Sequence, residues 1–326
     1  MSEQHPSETP HSVRGSSVTT SASNTPPDRS HISTEKRNPR TMHLHTLSTR
    51  EIVELIHQED REVLHALKRA GKTITRFIEA AEPGFTAGGR LIYVGAGTSG
   101  RLGVLDASEA PPTFQVDPGK IVGLIAGGDA ALRKSSESKE DDPRGAWPEL
   151  EALALTQNDT VLAIAAGGTT PYARGALEYC KHLPAGQQPL TGLLVCTTMD
   201  PPASADHLIM LKTGPEVLTG STRMKAGTAT KLTLNTISTT LMVRSGRVYQ
   251  NLMVDVRATN DKLKDRAARI VATLTGLARE SSFELLESAG GSVKTAVVMH
   301  RRGLPRTEAE AELERCSGHL GRALSE

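Results

Sequence analysis

The feature that most constrains the fold of this chain is residues 90–114, in which a short apolar run leads directly into a glycine-rich turn. The apolar run, residues 91–94, is bounded by glycines and contains β-branched and aromatic side chains, as is typical of a fully buried strand in a parallel sheet. The turn carries three glycines: Gly95, Gly97 and Gly100. Because glycine backbone can turn tightly and approach a ligand closely, the pattern predicts a strand, a tight turn and the start of a helix.

Two hydroxyl side chains, Thr98 and Ser99, lie where this predicted helix begins. A helix N-terminus carries unpaired N–H groups and the positive end of the helix dipole, so it attracts anions. We interpret the turn from Gly97 to Gly100 as a cradle for a phosphate group.

Three alternatives stay open for the same glycines. Their spacing matches G-x-G-x-x-G, the dinucleotide-binding fingerprint, but the acidic residue expected about 20 residues further on has no clean candidate, since Asp129 comes too late. A nucleotide-binding P-loop needs Lys and then Ser or Thr after its second glycine, whereas Arg101 and Leu102 follow Gly100. A purely structural turn between strand and helix is the third alternative.

Length and charge exclude several classes of protein. The 326 residues suffice for one large α/β domain with helical additions, or for two small domains. The formal net charge is +1 with both signs interspersed, which indicates neither nucleic acid nor a membrane surface as a partner. No apolar run approaches the roughly 20 residues of a membrane span and no secretory signal is apparent, so we expect a cytoplasmic protein. The three cysteines show no C-x-x-C spacing, which implies neither a structural zinc site nor a disulfide framework.

The N-terminal part divides into a tail and a helical segment. Residues 1–43 are rich in Ser, Thr, Pro, Asn, His and Arg and contain almost no large apolar side chains, so we expect them to be a disordered tail. Residues 44–82 are predicted to be helical, with a capping box at Ser48 and Glu51 followed by an apolar stripe. A second helix is predicted over residues 60–81, ended by Pro83 and Gly84.

The middle of the chain, residues 83–247, alternates strand-like and helical patterns. Four further strands are predicted at residues 121–126, 160–165, 190–196 and 206–211. This alternation predicts an α/β domain whose parallel sheet has helices on both faces and binds ligands at the carboxyl ends of its strands. Two more polar loops are expected there, residues 165–172 and residues 214–225.

The C-terminal region, residues 248–326, is predicted to be a small helical unit that follows a long helix over about residues 226–243. Helices are expected near residues 260–277, 281–289, 292–301 and 307–324. Helices that merely cover the sheet, a dimerisation element and a lid remain equally open interpretations of this unit.

Three motifs, residues 95–114, 215–228 and 251–256, closely resemble those of the N-acetylmuramic acid 6-phosphate etherases, which belong to the sugar isomerase (SIS) domain superfamily. The resemblance extends from about residue 46 to the C-terminus. It implies a three-layer αβα SIS domain, a homodimer and no metal or other cofactor. It also implies cleavage of the D-lactyl ether of N-acetylmuramic acid 6-phosphate to N-acetylglucosamine 6-phosphate and D-lactate, a step in the recycling of cell-wall sugar.

Acid and base catalysis is sufficient for this reaction. A base can remove the C2 proton beside the C1 aldehyde of the open-chain sugar, an acid must protonate the departing lactyl oxygen on C3, and water then adds at C3. Two carboxyl groups with separated pKa values suffice. The resemblance implies that Glu109 is the acid. A helix ending at Pro111 would place Glu109 near the negative end of the helix dipole and raise its pKa, although an exposed glutamate at a helix end stays the alternative.

The resemblance implies Glu137 as the second carboxylate, and we assign to it the removal of the C2 proton. Its neighbours depart from the family pattern, because Ser138 and Lys139 replace Gly and Ala. The alternative for this acidic segment is a solvated charge run on a surface helix.

The resemblance also implies a sugar-phosphate pocket formed by the three loops. The residues expected to bind there are Gly97, Thr98, Ser99, Gly100, Gly168, Thr169, Thr170, Glu216, Ser221, Thr222, Arg223 and Lys225. For Arg223 and Lys225, pairing with acidic residues of the scaffold is the alternative. Gly167 replaces a family Ser whose hydroxyl is expected to bind phosphate, at a cost of roughly 1.5 to 3 kcal/mol. Ala110 replaces a common Cys, which no step requires.

Three other functions compete with the etherase. A non-catalytic SIS protein could sense a sugar phosphate, as the related glucokinase regulatory proteins do. An aldose–ketose isomerase of the same superfamily would also need a carboxylate base beside a sugar phosphate. A dinucleotide-binding oxidoreductase comes last.

Overall fold

The structure is a computed structural model that describes residues 28–134, 137–256 and 261–324, together with Met1. At its centre lies a parallel sheet of five strands in the order β2-β1-β3-β4-β5. The strands are β1 (Leu91–Gly95), β2 (Ile121–Ile125), β3 (Thr160–Ile164), β4 (Leu190–Val195) and β5 (His207–Met210). All five predicted strands are confirmed. Every residue of β1 and β3 is buried, which explains why these strands are continuous apolar runs in the sequence.

Helices cover both faces of this sheet. The helices up to the end of the sheet domain are α1 (Thr49–Thr86), α2 (Gly97–Phe114), α3 (Ala130–Arg133), α4 (Glu137–Glu140), α5 (Trp147–Ala152), α6 (Pro171–His182) and α7 (Lys225–Arg244). The apolar sides of α1, α2 and α7 form one core with Leu91 and Tyr93. Those of α5 and α6 form a second core with Ile92 and Val94 on the opposite face. The αβα layering predicted from the sequence is therefore confirmed.

The sequence predicted two helices in this region, but α1 is a single helix that runs without a break over 38 residues. The capping box of Ser48 and Glu51 is confirmed at its start. Pro83 does not end the helix, since a proline in the last turn removes only one helical hydrogen bond. Gly84 has a packing role instead: a Cβ at this position would overlap the carbonyl oxygen of Asn158.

Residues 28–47, which we call the strap, are ordered and contain three 3₁₀ turns at Ser33–Glu35, Pro39–Thr41 and Leu44–Thr46. The prediction of disorder through residue 43 is therefore wrong for residues 28–43, while residues 2–27 lie outside the described residues. Thr34 and Asn38 are almost completely buried. The prediction of disorder from composition failed here because polar side chains anchor the strap through hydrogen bonds to distant parts of the chain.

The C-terminal region has a core of its own, which includes Val254, Ala267, Val271, Val297 and Ala309. Its elements are β6 (Val248–Tyr249), β7 (Leu252–Met253), α8 (Asp261–Thr275), α9 (Arg279–Ser288), α10 (Val293–Arg302), α11 (Arg306–Arg315) and α12 (Leu320–Ala323). The helix predicted over residues 307–324 is interrupted at residues 317 and 318, where the backbone has positive φ. The domain boundaries at residues 82 and 247 stay predictions. Among the described residues, no helix is both long and apolar enough to cross a membrane.

Candidate active site

The strand order places a crevice between β1 and β3. Helix α2 leaves the end of β1 towards one face of the sheet, and α6 leaves the end of β3 towards the other face. In open α/β sheets, such a reversal at the carboxyl ends of neighbouring strands is where ligands bind. Two of the three predicted loops begin at this point.

The first loop joins β1 to α2 and is shaped by glycine. A Cβ at Gly100 would lie 2.6 Å from both the carbonyl oxygen of Gly95 and Cγ1 of Ile125, so no larger residue fits. The N-cap residue of α2 is Ala96, which has no side chain that can accept the first amides of the helix. Thr98 and Ser99 are half-buried beside these amides. The start of α2 is therefore uncapped and suited to an anion.

The second loop joins β3 to α6. Gly168 has a φ of +75° and donates its N–H to the carbonyl oxygen of Ala165 at 2.9 Å. The N-cap residue Thr170 makes no side-chain capping bond, so α6 is a second helix with an uncapped start at the crevice. Thr169 and Thr170 are half-buried there.

Gly167 shows that the missing family hydroxyl is not excluded by packing. A Cβ at this position would lie 3.7 Å from Cγ2 of Ile32, which is an ordinary van der Waals contact. A serine would therefore fit the space beside the strap.

The third loop, residues 214–224, leads into α7 but ends differently. Glu216 is completely buried, and its carboxylate accepts the backbone N–H groups of Lys225 and Ala226 at 2.9 Å each. Burial raises the pKa of Glu216, although the two amide hydrogen bonds oppose this shift. The start of α7 is thus occupied by a carboxylate of the protein itself.

Lys225 is also completely buried, and its Nζ donates to Oε2 of Glu59 at 2.7 Å. Burial raises the pKa of the Glu59 carboxyl, but hydrogen bonds from Arg40, Lys225 and Asn38 outweigh burial and bring this pKa to about 2. For Lys225, the structure therefore shows the scaffold pairing that the sequence left open. Glu216 and Lys225 therefore hold the third loop in place. The sequence analysis had expected both residues to line the sugar-phosphate pocket.

Other residues of the third loop remain accessible. Ser221 and Thr222 are half-buried, and Arg223 is exposed. A Cβ at Gly227 in α7 would lie 3.3 Å from both Cγ2 of Thr98 and the carbonyl oxygen of Thr222, so the first turn of α7 lies close to both the first and the third loop.

Glu109 is exposed on α2, and the helix around it differs from the prediction. The helix continues through Pro111 to Phe114, so Glu109 lies more than one turn before its end and the expected reason for a dipole effect is wrong. Its position is fixed from the buried side of the same helix. Asp106, three residues earlier, accepts hydrogen bonds from the hydroxyl of Tyr93 at 2.8 Å and from Nδ2 of Asn235 at 2.6 Å.

This network joins α2 to both β1 and α7. Ser238 adds a third hydrogen bond to Asp106 at 3.2 Å. Burial raises the pKa of Tyr93 well above its ordinary value, and the Asp106 carboxylate adds to the effect, so the tyrosine stays a hydrogen-bond donor.

Glu137 begins the short helix α4, directly after two residues outside the described part, and its own side chain is likewise not described. Arg101 in α2 donates to the carbonyl oxygens of Leu132 and Lys134 at 3.2 Å each, which ties the end of α3 to the start of α2. Glu140, three residues further along α4, is half-buried.

Arg101, which holds the end of α3, and Glu109 lie on the same helix α2. Glu109 comes eight residues after Arg101, about 12 Å along the helix axis. Within the described ranges, no group of three or more His, Cys, Asp or Glu side chains is arranged to hold a metal ion.

Comparison with known proteins agrees with this geometry. The family model of the glucokinase regulatory protein N-terminal SIS domain matches residues 72–181. The N-acetylmuramic acid 6-phosphate etherase of Synechococcus sp. (strain CC9605) is 49% identical over 91% of this chain and 93% of its own length. That of Gloeobacter violaceus is 48% identical over 91% of this chain and 96% of its own length, and that of Geobacillus thermodenitrificans is 46% identical over 90% and 99%. The chain belongs to the N-acetylmuramic acid 6-phosphate etherase family.

Membership of the etherase family confirms the resemblance drawn from the three sequence motifs, and the SIS-type fold is confirmed with it. The sequence analysis of this etherase-family chain missed three supporting residues: Asn38, Glu59 and Asp106. Asp106 lies inside one of the recognised motifs, one helical turn before Glu109, so the sequence could have identified it as a supporting residue. The structure shows that it is buried. Asn38 and Glu59 gave no such signal in the sequence, because Asn38 bonds Glu59 from 21 residues away and Glu59 bonds Lys225 from 166 residues away.

Proposed function

We propose that this protein is a carbon–oxygen lyase that converts N-acetylmuramic acid 6-phosphate to N-acetylglucosamine 6-phosphate and D-lactate. The observation that carries the proposal is the pair of uncapped helix starts, α2 and α6, at the crevice of a chain that is 49% identical to an etherase. Two such helix ends supply amides and positive dipole ends to one anion, which suits the phosphate of the sugar.

The phosphate lies across the first two loops in this proposal. Hydroxyl groups beside the free amides complete its hydrogen bonds: Thr98, Ser99, Thr169 and Thr170. The third loop contributes Ser221, Thr222 and Arg223 in this proposal. A common pocket is supported by Gly227 of α7, which lies close to both Thr98 of the first loop and Thr222 of the third loop. A guanidinium such as that of Arg223 suits a phosphate because it donates two parallel hydrogen bonds.

Glu137 takes the C2 proton and Glu109 gives a proton to the lactyl oxygen in the elimination step. The C2–H and C3–O bonds break, a C2–C3 double bond forms, and D-lactate leaves. Water then adds, with its hydroxyl at C3 and a proton at C2. General acid and base catalysis of this kind contributes about 10²- to 10⁴-fold each.

A homodimer and a cytoplasmic location complete the proposal. Leu105, one turn before Glu109 on α2, is 51% exposed, and a second subunit over this face would shield both side chains from water. All three cysteines are free and buried, as is common in a reducing compartment.

Release of D-lactate from N-acetylmuramic acid 6-phosphate tests the activity. We expect release by the natural protein and at least about a 100-fold lower kcat for Glu109→Gln. Glu314→Gln, an exposed position in the C-terminal region, is the matched control and should keep full activity. Binding of the substrate without any lactate would contradict the lyase and favour a sugar-phosphate sensor.

Solvent deuterium exchange at C2 tests the assignment of the base. Exchange should be lost in Glu137→Gln and retained in Glu140→Gln. Glu140 is the matched control because it is the other carboxylate of the short helix α4, three positions after Glu137. Loss of exchange in Glu140→Gln alone would transfer the role of the base from Glu137 to Glu140.

A further inference from the structure

The strap crosses the carboxyl edge of the sheet, where the crevice lies. Ile32 is 5% exposed and approaches Gly167 of the second loop. The backbone N–H and the hydroxyl of Ser33 donate to Oγ1 of Thr197 at 3.3 and 2.9 Å. Thr197 follows the end of β4, so the strap spans the ends of two neighbouring strands.

The strap also contacts the third loop. The hydroxyl of Thr41 donates to the carbonyl oxygen of Val217 at 2.8 Å. Between these anchors, the Glu35 side chain extends over Gly220, where a Cβ would lie 3.4 Å from Oε2 of Glu35. The strap therefore borders the same loops that are proposed to surround the sugar phosphate.

A buried ionic cluster fixes the strap to the start of α7. Glu59 accepts hydrogen bonds from Nδ2 of Asn38 at 2.7 Å, from Nη2 of Arg40 at 2.9 Å and from Nζ of Lys225 at 2.7 Å. One carboxylate thus joins two strap residues to the helix that follows the third loop. This cluster holds the strap at a fixed distance from the third loop.

Glu35 is the strap residue that is left with its carboxylate available. It is exposed, and it makes no hydrogen bond or ion pair with any residue that the structure describes. An ionised carboxylate accepts hydrogen bonds and repels a phosphate, so it suits a hydroxyl or an amide N–H instead. An amino sugar phosphate offers both kinds of donor away from its phosphate.

We infer that Glu35 is a substrate-recognition residue whose carboxylate accepts a hydrogen bond from a hydroxyl or amide N–H of the bound sugar. This inference rests on the proposed function only for the location of the sugar phosphate among the three loops. The strap fixes the position of Glu35, while the starts of α2 and α6 hold the phosphate. Glu35 consequently distinguishes a sugar phosphate from phosphate alone.

Binding measurements on the full-length chain test this role with two probes, N-acetylglucosamine 6-phosphate and inorganic phosphate. Glu35→Ala should weaken binding of the sugar phosphate about 10- to 100-fold, because a hydrogen bond to a charged group is lost. Binding of inorganic phosphate should stay the same. Glu35→Gln, which keeps an acceptor oxygen, should fall between Glu35→Ala and the natural protein. Lys36→Ala, at the neighbouring exposed strap position, is the matched control and should bind both probes normally.

Two results would overturn the inference. One is unchanged affinity of Glu35→Ala for the sugar phosphate, and the other is an equal loss for both probes, which would indicate a general effect on the loops. Failure of the proposed activity is a separate result. If the natural protein binds the sugar phosphate but releases no D-lactate, the lyase is refuted while the binding data still decide the role of Glu35.

Discussion

Helices α2 and α7 start at the same edge of the sheet, yet their first turns are completed in opposite ways. The N-cap residue of α2 is Ala96, and no side chain caps the helix. The first amides of α7 are instead bonded to the buried carboxylate of Glu216. Of these two helix starts, only that of α2 lacks an anion supplied by the chain itself, so only α2 is suited to an anion from outside.

Removal of the carboxylate that caps α7 should cause the largest loss of stability. Glu216→Ala leaves two buried amides without acceptors, so we expect the free energy of unfolding to fall by about 3 to 4 kcal/mol. Denaturant unfolding measures this change, and Glu314→Ala in an exposed position is the control. A loss below about 1 kcal/mol would show that Glu216 does not stabilise the start of α7.

The ionic cluster behind α7 should make stability depend on pH. Because the folded pKa of Glu59 is about 2, below its ordinary value, its stabilising effect is complete above about pH 4.5 and is lost as the pH falls towards 2. The loss amounts to about 3 kcal/mol. Unfolding curves of the natural protein and of Glu59→Gln should therefore converge as the pH falls over this range. Parallel curves would contradict a depressed pKa in the folded state.

Addition of a hydroxyl beside the uncapped start of α6 should have a smaller effect, which is to strengthen binding of the sugar phosphate. Gly167→Ser restores the hydroxyl of the family pattern, and the space beside Ile32 accommodates its Cβ. We expect binding of N-acetylglucosamine 6-phosphate to improve about tenfold, which corresponds to about 1.4 kcal/mol. Calorimetric titration would measure the change. Weaker binding would mean that residue 167 does not face the phosphate.

The sheet and the first loop were predictable because their signals are local. Residues 91–94 form a strand that is buried on both faces, so one short apolar run identifies it. Gly97 and Gly100 lie directly after this strand, and their order along the chain fixes the start of α2. The family motifs added the expected carboxylates at positions 109 and 137.

The supporting interactions were not predictable in the same way, because their partners are far apart in sequence. Lys225 pairs with Glu59 across 166 residues, and nothing in the third loop distinguishes a lysine that binds a ligand from one that binds the scaffold. The strap was missed for a related reason. A composition argument counts apolar side chains, whereas Ser33 and Asn38 hold the strap through hydrogen bonds to residues outside it.

The most direct test of the account gives α2 the kind of cap that α7 has. Ala96 has the extended backbone conformation of an N-cap residue, so Ala96→Asp should place a carboxylate on the first amides of α2. Ala278→Asp is the matched control, because Ala278 likewise precedes α9 without a side-chain cap. Both variants should gain about 1 kcal/mol in stability.

Binding of N-acetylglucosamine 6-phosphate to these two variants is the deciding measurement. We predict that Ala96→Asp loses affinity by about tenfold or more, since its carboxylate takes the amides and repels the phosphate, while Ala278→Asp binds normally. Unchanged affinity in a stabilised Ala96→Asp protein would contradict the claim that the start of α2 holds the phosphate.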